Sequence, residues 1–235
     1  MITTLKTSMN KKYSPIYLFL SLLFATCLIV ANIVEQKLIK IGPFEATAGL
    51  LIFPISYVVN DLIAEVWGYR AIRTIIWYGF LMNFIAVAIF RIAIILPPSE
   101  NFTNQTAFSF VMGNTLRLTI ASFIAFLTGS FLNAYIMSKM KIAQAGRGFS
   151  LRAIVSTLGG EGADSLVFFT IAFSGIIPLK SLILLILTQT AMKTFYEVII
   201  LPLTTQIVKF VKKHEQTNIF DNDISYNPFF EKKFN

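Results

Sequence analysis

The stretch ATAGLLIFPISYVVNDLIAEVW, Ala46–Trp67, decides the fold. As a helix it is long enough to cross a bilayer, because hydrocarbon about 30 Å thick takes roughly 20 residues at ~1.5 Å each. It nevertheless carries Asp61 and Glu65. Five further stretches of similar length and character lie around it: Pro15–Asn32, Ile72–Leu96, Leu116–Met137, Arg152–Ile177 and Leu182–Lys209. The chain is 55% hydrophobic and 14% charged, whereas a soluble domain is about 25% charged. These runs are continuous and rich in Leu, Ile and Phe. A spanning β-barrel needs short segments of alternating polarity instead. The expected fold class is therefore all-α: a polytopic membrane bundle of six helices forming one domain, residues 15–213. A cytoplasmic segment, 1–14, precedes it, and a partly disordered cytoplasmic tail, 214–235, follows.

Lys and Arg set the orientation. Lys6, Lys11 and Lys12 precede the first helix, Arg70 and Arg73 follow the second, Lys139, Lys141, Arg147 and Arg152 lie between the fourth and fifth, and Lys209, Lys212 and Lys213 close the sixth. Only Lys37, Lys40, Arg117 and Lys180 fall on the other side. Both termini are thus expected in the cytoplasm. The net charge of +8 follows from this asymmetry beside an anionic leaflet and is no argument for nucleic acid as a partner. The lipid bilayer is the partner it implies. Cys27 is the only cysteine, so intrachain disulfides and cysteine metal clusters are excluded.

Inside the six stretches stand Asp61, Glu65, Glu161, Asp164 and Glu197, with Arg91 and Lys193. Each ionised side chain at a helix centre costs about 2.5–3.5 kcal/mol on insertion scales, so such residues mark function. Helix rise places Asp164 and Lys193 near the midplane, Glu161, Glu197 and Asp61 roughly 5 Å to the cytoplasmic side, and Arg91 about 10 Å to the outside. Spacing agrees with a shared interior. Tyr57, Asp61 and Glu65 fall on one face, Gln189, Lys193 and Glu197 on another, and Ser156 or Thr157, Glu161, Asp164 and Ser165 on a third. Asn32, Asn83 and Arg91 join them if their helices turn inward. Some charges can be structural ion pairs: Lys193 with Glu197 one turn later, and Glu65 with Arg70 or Arg73. The surplus of acids must then be met by protons, a cation or a cationic, donor-rich ligand. The run Gly159-Gly160-Glu161-Gly162 permits close helix approach or a local break beside a cavity.

Enzyme chemistry finds little support. Asp61 and Asp164 could form an intramembrane aspartic dyad, but the glycine-aspartate motif of such proteases is absent. The sole histidine, His214, lies beyond the last helix, so no Ser-His pair can form in the bundle. No metal-ligand set, P-loop or dinucleotide fingerprint occurs, and neither metal nor cofactor is expected. A carrier with a midplane pocket accounts for more. A receptor or scaffold that binds without translocating is the third class.

FPISYVVNDLIAEVWGY (Phe53–Tyr69), together with STLGGEGADSLVF (Ser156–Phe168) and IAFSG (Ile171–Gly175), resembles the signatures of the queuosine precursor transporters within the vitamin uptake transporter group. The resemblance runs from about Tyr13 to Val211. It implies import, across the inner membrane, of a 7-deazaguanine: the aminomethyl or cyano precursor base, or queuine. A guanine-like edge offers adjacent N–H donors to one carboxylate, and an aminomethyl group offers a cation to another. On that reading Glu161 and Asp164 divide these roles, with Asp61, Lys193 and Glu197 nearby. Asn60 or Gln189 takes the carbonyl and ring nitrogens, and Tyr57, Phe168 or Tyr196 stacks on the base. The six-helix plan also resembles substrate-binding components of energy-coupling-factor transporters, which would make an ATPase module a partner and Ser21-x-x-x-Ala25 its docking patch.

Overall fold

The computed structural model describes residues 14–34, 37–41, 44–113, 116–222 and 224–229. Its helices are α1 (Pro15–Val34), α2 (Phe53–Ile95), α3 (Gln105–Met112), α4 (Leu116–Ala143), α5 (Phe149–Phe173) and α6 (Leu179–Glu215). The strands β1 (Leu38–Ile41) and β2 (Phe44–Thr47) pair antiparallel, with Leu38 opposite Thr47, between α1 and a 3-10 turn at Ala48–Leu51. The helix expected from Ala46 therefore begins at Phe53. Pro54 sits in its first turn, where its fixed φ suits a helix start and its missing N–H leaves nothing unpaired.

Among the described residues, four stretches are long and apolar enough to cross a membrane: Pro15–Val34, Ala48–Ile95, Gln105–Ala143 and Leu179–Glu215. The chain is a multi-pass membrane protein. Two of the six expected spans, Ala46–Trp67 and Ile72–Leu96, share one of these stretches, and α5, which holds Arg152, Glu161 and Asp164, is not among the four. Large apolar side chains face outward along the helices, among them Phe19 and Leu22 on α1, Ile89 and Ile92 on α2, and Leu187 and Ile199 on α6. That surface suits lipid. Phe24, Leu28, Val59, Ile63, Val66, Ile72, Ile76 and Met137 fill the interior.

At Gly68 the backbone of α2 leaves helical geometry, with φ 82° and ψ 176°, a region open to glycine and strained for other residues. Before the break, Asp61 meets Asn133 and Tyr57 lies by Gly129. After it, Trp77 packs on Phe131 and Phe80 on Phe123, with ring centroids 5.8 and 5.3 Å apart. One half thus follows α4 forward and the other follows it backward, so the chain folds back at Gly68. A reversal interrupts helical hydrogen bonding, and buried backbone groups must find other partners.

The segment after α6 supplies them. Ile219 N–H donates to the Val66 carbonyl at 3.1 Å, and Tyr69 N–H donates to Asp221 Oδ2 at 2.8 Å. Ser138 Oγ donates to the same Asp221 oxygen at 2.5 Å, which leaves the Tyr226 hydroxyl, 2.9 Å away, to donate to Ser138. Burial pushes the Tyr226 phenol up, so it keeps that proton at neutral pH. Trp77 Nε1 donates to the Pro228 carbonyl at 2.8 Å, and Phe229 packs on the Trp77 ring at 5.4 Å. The described part of the expected tail is thus seated on the bundle. Lys6, Lys11, Lys12 and Phe230 lie outside the described residues.

Candidate functional site

The stripe expected on α2 is present: Tyr57, Asn60, Asp61 and Glu65 are all buried. Across from it, α6 buries Gln189, Lys193 and Glu197, one turn apart in succession. Between them α5 buries Ser156, Thr157 and Glu161, with Asp164 half-buried. All eight expected site residues therefore face the bundle interior.

Glycine brings α5 against α4. A Cβ on Gly160 would lie 2.9 Å from the Gly129 carbonyl oxygen and 2.8 Å from Asn133 Cβ, and one on Gly129 would lie 2.6 Å from Tyr57 Oη and 2.8 Å from Asp164 Cβ. Real Cβ atoms do not tolerate such approaches. Gly162 is different, since a Cβ there meets nothing nearer than Thr190 Cγ2 at 3.8 Å. Gly160→Ala should therefore lower stability by about 1–3 kcal/mol through overpacking, while Gly162→Ala stays near wild type. Thermal unfolding of the two variants in detergent checks this; equal midpoints would refute the packing argument.

The charges sort into three groups. Lys193 Nζ lies 2.7 Å from Glu161 Oε2 and 3.0 Å from Asp164 Oδ2, bridging α6 to α5, and 4.8 Å from the Phe53 ring centroid. Two carboxylates on one ammonium leave this group with a surplus negative charge. In the second group, Asp61 Oδ1 accepts from Asn133 Nδ2 at 2.7 Å and from Ser156 Oγ at 3.5 Å. Asn60 Nδ2 reaches the Ser130 carbonyl at 3.4 Å. In the third, Glu65 Oε1 is 2.7 Å from Arg152 Nη2 and 2.5 Å from Lys212 Nζ, and Lys141 Nζ donates to the Glu65 and Ile219 carbonyls.

Two expected pairings are replaced. Lys193 is drawn across to α5 instead of along its own helix to Glu197, whose carboxylate oxygens have no hydrogen-bond partner among the described residues. Glu65 takes Arg152 and Lys212 rather than Arg70 or Arg73; Arg73 reaches the Asn227 carbonyl at 3.3 Å. Farther along the bundle, Asn32 Nδ2 donates to Asn83 Oδ1 at 2.6 Å. Arg91 lines a cavity of about 10 Å³ with Asn32, Phe90 and Thr119, room for about one water. Phe168 packs with Phe169, centroids 5.1 Å apart, in an aromatic group of α5.

Sequence reasoning missed Asn133, Gly129 and Ser130 on α4, and the structural roles of Arg152, Lys141 and Lys212. A signal existed for the first, since Gly129 and Asn133 stand one turn apart in an apolar span. In the sequence the basic residues carry only an orientation signal.

Unpaired buried polar atoms also accumulate in this region: Asn60 Oδ1, Asp61 Oδ2, Asn133 Oδ1, Glu161 Oε1, both Glu197 oxygens and the hydroxyls of Thr157, Ser165, Thr190 and Thr194 have no hydrogen-bond partner among the described residues. Most buried polar atoms in proteins are paired, so such a concentration marks a place built for a donor. The arrangement can accept several N–H groups and a positive charge.

A family model described as "Putative vitamin uptake transporter" matches residues 47–207. A Bacillus subtilis protein named "Probable queuosine precursor transporter" is 24% identical over 209 residues, covering 88% of this chain and 90% of its own length. The Escherichia coli "Queuosine precursor transporter" is 25% identical over 166 residues, covering 71% and 72%. No solved structure matches the chain.

Proposed function

The chain belongs to the vitamin uptake transporter family, and on that premise we propose that it imports a 7-deazaguanine precursor of queuosine. Its relatives are transporters, and the chain is a transporter rather than an enzyme. The observation that carries the substrate reading is the acceptor-rich interior around Lys193, Glu161 and Asp164. A deazaguanine presents adjacent N–H donors on one edge, and its aminomethyl form adds a cation. Both match carboxylates in low dielectric, where charge-assisted hydrogen bonds are strong.

In this reading Glu161 and Asp164 receive the donors of the base and Lys193 holds the two acids in register. Gln189 meets the carbonyl or ring nitrogens, and Tyr57 supplies an aromatic face. Asn60 completes the acceptor set, with Asp61 and Glu197 nearby. The fold-back at Gly68 divides Ala48–Ile95 into two legs; with α5 added, the bundle has six crossings. Both termini then lie in the cytoplasm of a cell whose inner membrane holds the protein, and the Glu65 cluster lies at the cytoplasmic end with the basic residues around it.

Deletion with rescue tests the function. In a cell that depends on salvage, the wild-type chain should restore queuosine in transfer RNA when the aminomethyl base, the cyano base or queuine is supplied. No restoration by any of the three rejects the substrate class. Uptake by purified protein in liposomes then tests independence from an ATPase module.

A further inference from the structure

Two buried carboxylates stand outside both cation clusters. Asp61 is fully buried, and its Oδ1 is met only by the neutral donors Asn133 and Ser156. Asp61 Oδ2, both Glu197 oxygens, Asn60 Oδ1 and Asn133 Oδ1 have no hydrogen-bond partner among the described residues. Each of these atoms is an acceptor.

The neighbouring cations are held elsewhere. On its own helix Asp61 is flanked by Tyr57 and Glu65. From α4 comes Lys141, bound to the Glu65 and Ile219 carbonyls. From α5 come Arg152, on Glu65, and Glu161, on Lys193. From α6 come Glu197, Lys193 and Lys212, the last on Glu65. α1 carries no charged residue between Pro15 and Val34. An ionised Asp61 thus lacks a counter-charge where desolvation is most costly. A proton removes both difficulties at once: it neutralises a charge and converts one acceptor into an O–H donor. Among the described residues no group of three His, Cys, Asp or Glu side chains could hold a metal ion; a sodium ion held by amide and carbonyl oxygens is the rival cation, which a sodium gradient tests.

We infer that Asp61 is a proton-binding site that couples this carrier to the proton gradient. Water on the outer side gives a proton to Asp61 Oδ2, and the neutral acid donates its O–H to the surrounding acceptors. When the inner path opens, that proton passes to cytoplasmic water and restores the carboxylate. Proton and substrate move in the same direction. The inference rests on the transport reading, with the substrate donors assigned to Glu161 and Asp164.

The full chain in liposomes provides two independent readouts. Infrared difference spectra recorded in light and heavy water should contain the carbonyl stretch of a neutral carboxyl group at neutral pH, lost in Asp61→Asn and kept in Glu197→Gln. In parallel, an acid-outside gradient should raise the initial rate of labelled precursor uptake several-fold, and an equal inward sodium gradient should not. That stimulation should vanish in Asp61→Asn, whatever rate remains. Absence of the band, its loss in Glu197→Gln with survival in Asp61→Asn, stimulation that survives Asp61→Asn, or drive by sodium instead of protons would each overturn the proposal. A band that depends on Asp61 in a protein that moves no precursor would leave the proton site standing and reject the substrate reading instead.

Discussion

Uptake of the precursor base is expected to fall at least about 100-fold in Glu161→Gln and in Asp164→Asn, with membrane insertion at the wild-type level. Hydrogen bonds to a charged group contribute about 1.5–3 kcal/mol each. The amide turns one acceptor oxygen into an N–H facing the donors of the base and strips the charge from the other, which together removes roughly 3 kcal/mol, and every ~1.4 kcal/mol is tenfold. Folding should survive, because Lys193 touches both acids and keeps one after either substitution. Lys193→Met should behave otherwise. It leaves two buried carboxylates without their ammonium, a change that costs about 3–5 kcal/mol in buried pairs, so unfolding temperature should fall as well as uptake. Binding and uptake assays, each normalised to protein in the membrane, separate these cases. Retained uptake in both acid variants would reject the site.

The second large effect concerns stability. Arg152 and Glu65 are both fully buried, 2.7 Å apart, so Arg152→Met strands a carboxylate in the interior and should cost about 3–5 kcal/mol. Lys212 also lies 2.5 Å from that carboxylate, which places the expected loss at the lower end. The double variant Arg152→Met, Glu65→Gln should recover part of it, since the stranded carboxylate is gone and the partly exposed Lys212 can turn to water. Thermal unfolding in detergent reads both. A single variant as stable as wild type would mean that Lys212 alone satisfies Glu65.

Much of this interior was legible in the sequence because membrane helices translate spacing into direction with little interference. Tyr57, Asp61 and Glu65 one turn apart, and Gln189, Lys193 and Glu197 likewise, face inward as that spacing requires. Partner choice was not legible. Whether Lys193 turns along α6 to Glu197 or across to Glu161 depends on how closely α5 approaches, and that approach is set by Gly129 and Gly160 on two different helices. The start of α2 was not legible because Phe44–Thr47 pairs with Leu38–Ile41, a cross-strand match that hydrophobicity does not signal. Gly68 and Asp221 lie far apart in the chain, and periodicity cannot pair a turn with a residue that meets it from beyond the last helix.

That pairing has a consequence for how the protein is made. Ribosomes release the chain from its N-terminus, so the fold-back at Gly68 enters the membrane long before Ile219 and Asp221 exist to meet Val66 and Tyr69. Until Ile219 and Asp221 emerge, the hairpin waits without these partners at its bend. A chain cut within α6 lacks both Ile219 and Asp221, and so leaves the Val66 carbonyl and the Tyr69 N–H at the bend without these partners.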